Sequence, residues 1–181
     1  MGFYLIFLSV IFLAIVFVVI PLIFLVKIWG YVYPFLFWGA IYVPTTKERV
    51  GKMVKLLEIK PGQTVVDLGA GDGRLLIALA KEGAKAYGYE INPLLVPKAR
   101  ENIKAVALDG SAFIYCKSFW RQDLKDFDAV VVFGMKHMMK RLERKFEREL
   151  KPGAKIVSNY FTLPTWRPSE EEDKIYMYIK K

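Results

Sequence analysis

The chain has 181 residues and a formal net charge of +9, with 54% hydrophobic and 25% charged residues. This length suits one domain with an appendage, and the sequence shows neither an internal repeat nor a low-complexity tract. The single cysteine, Cys116, excludes an internal disulfide and agrees with a reducing compartment, so we interpret it as a small apolar strand residue.

Residues 1–27 predict a transmembrane anchor. Between Gly2 and Val26 there is no charged residue, and nearly every side chain is Leu, Ile, Val or Phe. At about 1.5 Å per residue this stretch exceeds the ~30 Å hydrocarbon core, so a tilted helix fits, with Pro21 as the place where it can kink. A signal peptide needs a charged start and a small-residue cleavage site, and neither is clear here. A buried core helix is the other alternative.

The basic residues predict the orientation of this anchor. No Lys or Arg precedes it, whereas Lys27, Lys47, Arg49, Lys52 and Lys55 follow it. The positive-inside rule therefore predicts a single-pass membrane protein whose C-terminal domain lies in the cytoplasm.

Residues 28–43 form an aromatic segment between the anchor and the domain. Its aromatic side chains are Trp29, Tyr31, Tyr33, Phe35, Phe37, Trp38 and Tyr42. Such residues are enriched where membrane meets water, while Gly30, Pro34 and Gly39 disfavour a regular span. We predict that the segment lies in the interface; a second short span or a re-entrant segment are the alternatives.

Residues 44–181 show alternating strand and helix patterns. Helices are predicted over 46–57, 74–82, 93–104 and 136–150, and strands over 64–68, 86–91, 112–116, 129–133, 155–160 and 174–179. Thr45 or Thr46 is the expected cap of the first helix, and Asn92 that of the third, with Pro93 at its first position. The alternation predicts parallel βαβ units and therefore an α/β, Rossmann-like, mostly parallel sheet.

A glycine-rich turn after the first strand predicts a cofactor site. Gly69, Gly71 and Gly73 let the backbone approach a ligand closely, and the following helix offers free N–H groups. The spacing is G-x-G-x-G rather than the G-x-G-x-x-G of dinucleotide sites. The acids Asp67 and Asp72 beside it would repel a pyrophosphate but suit an ammonium group.

These features favour S-adenosylmethionine, whose methionyl end carries an ammonium group. Glu90, at the end of the second strand, can accept hydrogen bonds from both ribose hydroxyls. A domain that binds NAD, or no ligand, is the alternative. The cofactor-binding residues predicted at this turn and strand end are Asp67, Gly69, Ala70, Gly71, Asp72, Gly73, Glu90 and Ile91.

The residues after the fourth strand narrow the chemistry. Methylation of planar nitrogens usually goes with an Asn/Asp-Pro-Pro-Tyr/Phe motif there, whereas this chain has the run from Val132 to Lys136. Cys116 lacks the preceding proline of a pyrimidine C5 nucleophile. The lone His137 could be a general base, but a histidine at this place in a helix is more often incidental or interacts with the helix end. The basic helix over 136–150 suits nucleic acid, anionic lipid or simply solvent.

Several segments together resemble a known family. They are Tyr42-Val-Pro-Thr45, 66–74, 88–93, Phe133-Gly-Met-Lys-His-Met-Met139 and Ser158-Asn-Tyr-Phe-Thr-Leu-Pro-Thr-Trp166. The set resembles the seven-strand (class I) protein-lysine methyltransferases, which include mitochondrial enzymes acting on the ATP synthase c subunit and the adenine nucleotide translocator, and similar archaeal enzymes. The resemblance covers about Tyr42 to Lys181.

The resemblance implies a site for the acceptor lysine. Tyr42, Tyr160, Phe161 and Trp166 are the expected aromatic channel, and Thr45 is expected near the methionyl end. Ser118 and Phe119 are expected beside the adenine, where the family often has an acid in place of Ser118. The short tail after Trp166 predicts an incomplete last hairpin. Neither a metal nor a strong general base is implied.

The leading hypothesis is thus a membrane-anchored, S-adenosylmethionine-dependent methyltransferase acting on lysine of a protein, itself membrane-associated. A lipid or other small-molecule methyltransferase is a second hypothesis, motivated by the anchor. A non-catalytic S-adenosylmethionine-binding membrane protein is a third. A nucleic-acid enzyme has the least support, because its motif after the fourth strand is missing.

Overall fold

The computed structural model describes residues 2–38 and 42–181, with side chains described outside 31–38. The chain divides into two units, residues 1–41 and 42–181. In the first unit, α1 (Gly2–Ala14) and α2 (Ile20–Trp38) are joined by a π-helical turn over Ile15–Val19. This turn lies just before Pro21, which has no N–H to donate to the helical ladder.

The helix over Gly2–Gly30 is long and apolar enough to cross a membrane, a property that signal sequences share. The helical conformation continues past residue 27 to Trp38. The end of the anchor at residue 27 stays a prediction. The interfacial position of 28–43 stays a prediction, and residues 39–41 lie outside the described residues.

The second unit contains a seven-stranded sheet in the order β3-β2-β1-β4-β5-β7-β6. The strands are β1 Thr64–Leu68, β2 Lys85–Glu90, β3 Ala112–Cys116, β4 Ala129–Val132, β5 Lys155–Asn159, β6 Glu170–Glu172 and β7 Ile175–Ile179. The first five strands are parallel, and β7 is antiparallel to both β5 and β6. The predicted α/β, Rossmann-like, mostly parallel sheet is confirmed.

Helices cover both faces of this sheet. They are α3 Lys47–Leu57, α4 Arg74–Lys81, α5 Leu95–Ala105 and α6 Met139–Glu149. The first core lies under α3, α4 and α5, and the second core lies under α6. Side chains alternate between the cores along the central strands, so that Val65 faces the first and Val66 the second. Burial of both faces explains the apolar strand sequences.

Two local predictions were wrong. α5 begins at Leu95 rather than at the predicted Pro93, and the Asn92 side chain accepts a hydrogen bond from the Leu94 N–H at 2.9 Å in the turn before the helix. The last hairpin is complete, since β6 pairs with β7 through a turn in which Asp173 and Lys174 have φ of +49° and +60°. Left-handed residues of this kind make the tight turn that matches the twist of two antiparallel strands.

Candidate functional site

The glycine-rich turn after β1 has a backbone conformation that favours glycine. Gly69, Gly71 and Gly73 have φ of +100°, +55° and +79°. The N–H groups of Gly69 and Ala70 donate to the carbonyl of Tyr89 at 2.9 and 3.2 Å, which ties the turn to β2. Among the described residues, no atom lies within 4 Å of the position of a Cβ on Gly69. The turn therefore leaves room for a ligand above Gly69.

Glu90 holds this turn from the end of β2. Its Oε2 accepts a hydrogen bond from the Gly71 N–H at 2.9 Å, and its Oε1 accepts one from the Asn92 N–H at 2.8 Å. The side chain is 8% exposed. Each carboxylate oxygen can accept more than one hydrogen bond, so Glu90 retains capacity for two ligand hydroxyls.

Asp67 is a buried acid beneath the turn. Burial and the negative charges of Glu90 and Asp72 raise the pKa of its carboxyl group to about 8. A cation bound among these three acids would favour the ionised form of Asp67. The donor and acceptor set therefore fits a ligand that brings hydroxyl groups and an ammonium group, and does not fit a pyrophosphate.

The raised pKa predicts that Asp67 makes stability depend on pH. The folded protein keeps the Asp67 proton up to about pH 8, whereas the unfolded chain loses it near 3.8. The contribution to stability is therefore fully present below pH 3.8, falls as pH rises, and is lost above about 8. As pH rises from 5 to 9, we expect the thermal midpoint of ligand-free wild type to fall relative to the midpoint of the Asp67→Asn variant. A difference that does not change with pH would contradict this prediction.

Arg74 connects the turn to the beginning of the domain. Its Nε and Nη2 donate to the Asp72 carboxylate at 2.9 and 2.6 Å, and its Nη1 donates to the carbonyl of Thr45 at 2.6 Å. These contacts hold the pKa of Asp72 below its usual range. The ring of Tyr42 lies against the turn, because a Cβ on Gly71 would come within 2.6 Å of its Cε2. Burial and the Asp72 charge raise the pKa of Tyr42.

A second cluster lies where β4 and β5 end. Arg49 of α3 donates from Nε and Nη2 to Oδ1 of Asn159, at 3.1 and 2.6 Å. Its guanidinium carbon lies 4.2 Å from the centroid of the Tyr160 ring, which stacks on Phe133 at 5.5 Å. Tyr160 has φ of +69°, a strained value for a non-glycine residue, and its N–H donates to the carbonyl of Lys174. The ring is thus held from several directions.

Two of the expected channel residues do not join this cluster. Phe161 and Trp166 pack against the second core, on the α6 side of the sheet. The carbonyl of Phe161 accepts a hydrogen bond from the Ser158 hydroxyl. The Trp166 N–H donates to Glu143 of α6, and its ring lies 5.6 Å from Nζ of Lys180. Of the four expected channel residues, Tyr42 thus lies against the glycine turn, Tyr160 lies at the end of β5, and the other two pack on the second core. Their role in a channel stays a prediction.

The remaining predicted residues lie near Glu90. Ile91 follows it directly and is partly buried. Ser118 comes after Lys117, whose N–H donates to the Glu90 carbonyl at 3.0 Å. Phe119 is partly buried and packs against the second core. The end of β2 and the segment after β3 thus meet beside the glycine turn.

Sequence reasoning did not single out Arg49, Asn159 and Phe133, which the structure brings to the Tyr160 ring or its neighbour. An asparagine at the end of a predicted strand was the available signal for Asn159, whereas nothing local marks Arg49. Within residues 2–38 and 42–181 no cluster of His, Cys, Asp and Glu could hold a metal ion. His137 is exposed at a short 3₁₀ turn before α6.

Comparison with known proteins places the chain among methyltransferases. The model of the ANTKMT methyltransferase domain matches residues 67–170. The ATP synthase c subunit lysine N-methyltransferase of Mus musculus is 39% identical over 141 residues, which are 76% of this chain and 57% of the relative. The chain therefore spans little more than half of that protein. A protein-lysine N-methyltransferase of Saccharolobus islandicus (strain REY15A) is 36% identical, over 76% of this chain and 92% of the relative.

One solved structure is similar over nearly its full length. It is an RNA methyltransferase from Salinibacter ruber in complex with S-adenosyl-L-homocysteine, with a TM-score of 0.73 and 30% identity. The similarity covers 76% of this chain and 93% of that one. The seven-stranded architecture described above is therefore the fold of the class I methyltransferases.

Proposed function

Since this chain belongs to the family of the ANTKMT methyltransferase domain, we propose that it transfers methyl groups from S-adenosylmethionine to lysine side chains of a protein. The observation that carries the proposal is the identity of 36–39% with relatives named as lysine N-methyltransferases. The same sequence forms the acid-lined glycine turn described above. The archaeal relative is matched along 92% of its length, so the shared part is close to a whole enzyme of that kind.

The residues around the turn fit S-adenosylmethionine. When bound, this cofactor supplies a sulfonium methyl group, which forms a bond to the amine nitrogen as its bond to sulfur breaks and leaves the electron pair on sulfur. Glu90 would accept the ribose hydroxyls, and Asp67 and Asp72 would face the ammonium group. Arg74 favours the ionised form of Asp72 and ties the turn to Thr45, and these contacts would orient Asp72 for the methionyl end of the ligand.

The acceptor amine must reach the site without its proton. A lysine ammonium has an ordinary pKa of about 10.4 and has no lone pair to attack with. Burial in an aromatic channel disfavours the charged form, and Tyr42, Tyr160 and Phe133 would supply such surroundings once the acceptor is bound. Residues at this end of the sheet thus orient and desolvate the amine, and no general base is required.

The N-terminal helix suggests where the substrate lies. Its length and composition suit a membrane span, and basic residues lie on its C-terminal side only. We extend the proposal to a single-pass membrane enzyme whose catalytic domain faces the cytoplasm, and whose substrate is embedded in or attached to the same membrane. The mouse relative is named for the c subunit of ATP synthase, which makes a membrane protein a natural first candidate.

The test uses the full chain in detergent, methyl-labelled S-adenosylmethionine and membranes from the source cell. We expect label in a protein band that yields methyl-lysine on hydrolysis, and no label when Glu90→Ala replaces wild type. Label that extracts into organic solvent would replace this proposal with a lipid or small-molecule methyltransferase, and label in added RNA with a nucleic-acid enzyme. Tight binding of S-adenosylhomocysteine without any transfer would indicate a non-catalytic binding protein.

A further inference from the structure

Arg49 is a cation whose charge is not neutralised by the group it binds. It is partly buried, and both hydrogen bonds go to the neutral amide oxygen of Asn159. Among the described residues, it forms no ion pair with a carboxylate. Arg74, in the same region of the domain, differs because Asp72 pairs with it at 2.6 Å.

The hydrogen bonding fixes the orientation of the Asn159 amide. A guanidinium can only donate, so the oxygen of Asn159 must face Arg49. The nitrogen Nδ2 has no hydrogen-bond partner in the described structure, and it is buried because Asn159 itself is 0% exposed. A free donor beside a guanidinium gives this end of the sheet a positive character. A buried N–H group without an acceptor also costs free energy, and in a native structure this cost calls for a functional reason.

The sheet order separates this cation from the acids of the cofactor side. Glu90 ends β2, on one side of β1, whereas Asn159 ends β5, two strands away on the other side. Neighbouring strands lie about 4.8 Å apart, so the two ends are separated by about 14 Å across three strand spacings. Glu90 and Arg49 therefore lie on different sides of β1 and β4 and are placed to act on different parts of the site. The cation lies where the channel for the acceptor amine is proposed.

We propose that Arg49 is a positioning residue that selects the neutral form of the acceptor lysine, holding the Tyr160 ring in place and opposing a positive charge next to it. The inference rests on the proposed function. The acceptor ammonium releases its proton to water more readily beside a fixed guanidinium, since like charges disfavour the charged form. The neutral amine that remains keeps its lone pair for the methyl group. An arginine suits this role because it stays charged at every physiological pH.

Other charged groups lie near Arg49, on α3 and on the β6–β7 hairpin. Asp173, in the β6–β7 turn, is the acid that interacts with Arg49, and it already pairs with Lys52 of α3. Glu48 and Glu172 also pair with Lys52. On the side of α4, Asp72 and Arg74 neutralise each other, next to Tyr42. Three acids thus share one lysine, and Arg49 is the cation in direct contact with the Tyr160 ring, 4.2 Å from its centroid. Removing the Arg49 charge favours the ammonium form of an amine beside that ring, whatever the sum of the more distant charges.

The test measures kcat/KM against pH for wild type and Arg49→Gln, from pH 6 to 10. Source-cell membranes below saturation serve as the acceptor, with saturating labelled S-adenosylmethionine and methyl-lysine as the product. We expect the rise of kcat/KM to move about one pH unit upward in Arg49→Gln, which is about a tenfold loss at pH 7.5 that disappears at high pH. The neutral glutamine can still donate to Asn159, so the change is chiefly in charge.

Three further variants separate charge from structure. Arg49→Lys keeps the charge and should leave the pH profile at the wild-type position. Asn159→Asp keeps an acceptor oxygen for Arg49 but adds a negative charge that neutralises the guanidinium. This variant should therefore shift the pH profile of kcat/KM upward, as Arg49→Gln does. Arg144→Gln makes the same exchange at an exposed position on α6 and should not shift the profile.

Each remaining outcome has one meaning. A loss of kcat/KM in Arg49→Gln that is equal at every pH, or a pH profile that coincides with that of wild type, overturns the inference while the proposed function stands. Absence of methyl-lysine with wild type overturns both. Calorimetry with S-adenosylhomocysteine should give an affinity for Arg49→Gln within about twofold of that of wild type, because the residues proposed to bind the cofactor lie on and after β1 and β2. A tenfold loss of that affinity would instead assign Arg49 to the cofactor and also overturn the inference.

Discussion

Replacing Glu90 by alanine is expected to weaken S-adenosylhomocysteine binding by about a hundredfold or more. The substitution removes the acceptors of two backbone N–H groups, those of Gly71 and Asn92, at 2.9 and 2.8 Å. It also removes the oxygens available to the ribose hydroxyls. Each hydrogen bond to a charged group contributes about 1.5–3 kcal/mol, so losing two such contacts with the ligand alone costs at least a hundredfold in affinity.

The matched variants are Glu90→Gln and Glu101→Gln. The first keeps one acceptor oxygen but turns a donor toward one of the two N–H groups, so its loss should be smaller than that of Glu90→Ala and still about tenfold. The second changes an exposed glutamate on α5 and should leave the affinity unchanged. Isothermal titration calorimetry gives the three constants. Wild-type affinity in Glu90→Ala would show that this carboxylate does not hold the cofactor.

The second large effect is expected at Gly88 in the middle of β2. A Cβ there would lie 2.6 Å from Cδ1 of Leu76, 2.7 Å from Cβ of Ala70 and 3.0 Å from Cδ1 of Ile114. The Leu76 side chain can turn away, but Ala70 cannot, since it belongs to the glycine turn. We therefore expect Gly88→Ala to lower the free energy of unfolding by about 1–3 kcal/mol and to displace the cofactor turn.

The control for this prediction is Gly51→Ala in α3. No atom of the described residues lies within 4 Å of a Cβ at that position, and an alanine there should stabilise the helix by up to about 1 kcal/mol. The two glycine-to-alanine exchanges should thus shift the thermal midpoint, followed by circular dichroism, in opposite directions. Equal midpoints for Gly88→Ala and wild type would mean that Ala70 and Leu76 can move away from the added Cβ without a loss of stability.

Much of the domain could be predicted from local sequence. The ranges of β1 and β3 were predicted residue by residue, because each is a short run of apolar and β-branched side chains bounded by turn residues. The strand β6 was missed, since its three residues are all glutamate and have no apolar pattern. The start of α5 was misplaced because Asn92 can cap a helix or bend the chain, and the sequence does not distinguish the two uses.

The sequence by itself determined the class of the fold and its glycine turn, because alternating strands and helices and the spacing of Gly69, Gly71 and Gly73 are properties of neighbouring residues. It also carried the resemblance to lysine methyltransferases. Only the tertiary structure decided which side chains meet at the acceptor end. Arg49 and Asn159 are 110 residues apart and come together because β5 lies under α3. Trp166 is close to Tyr160 in sequence but packs on the α6 face of the sheet. Residues that are near each other in sequence can lie on opposite faces of a sheet, and the sequence pattern does not show this.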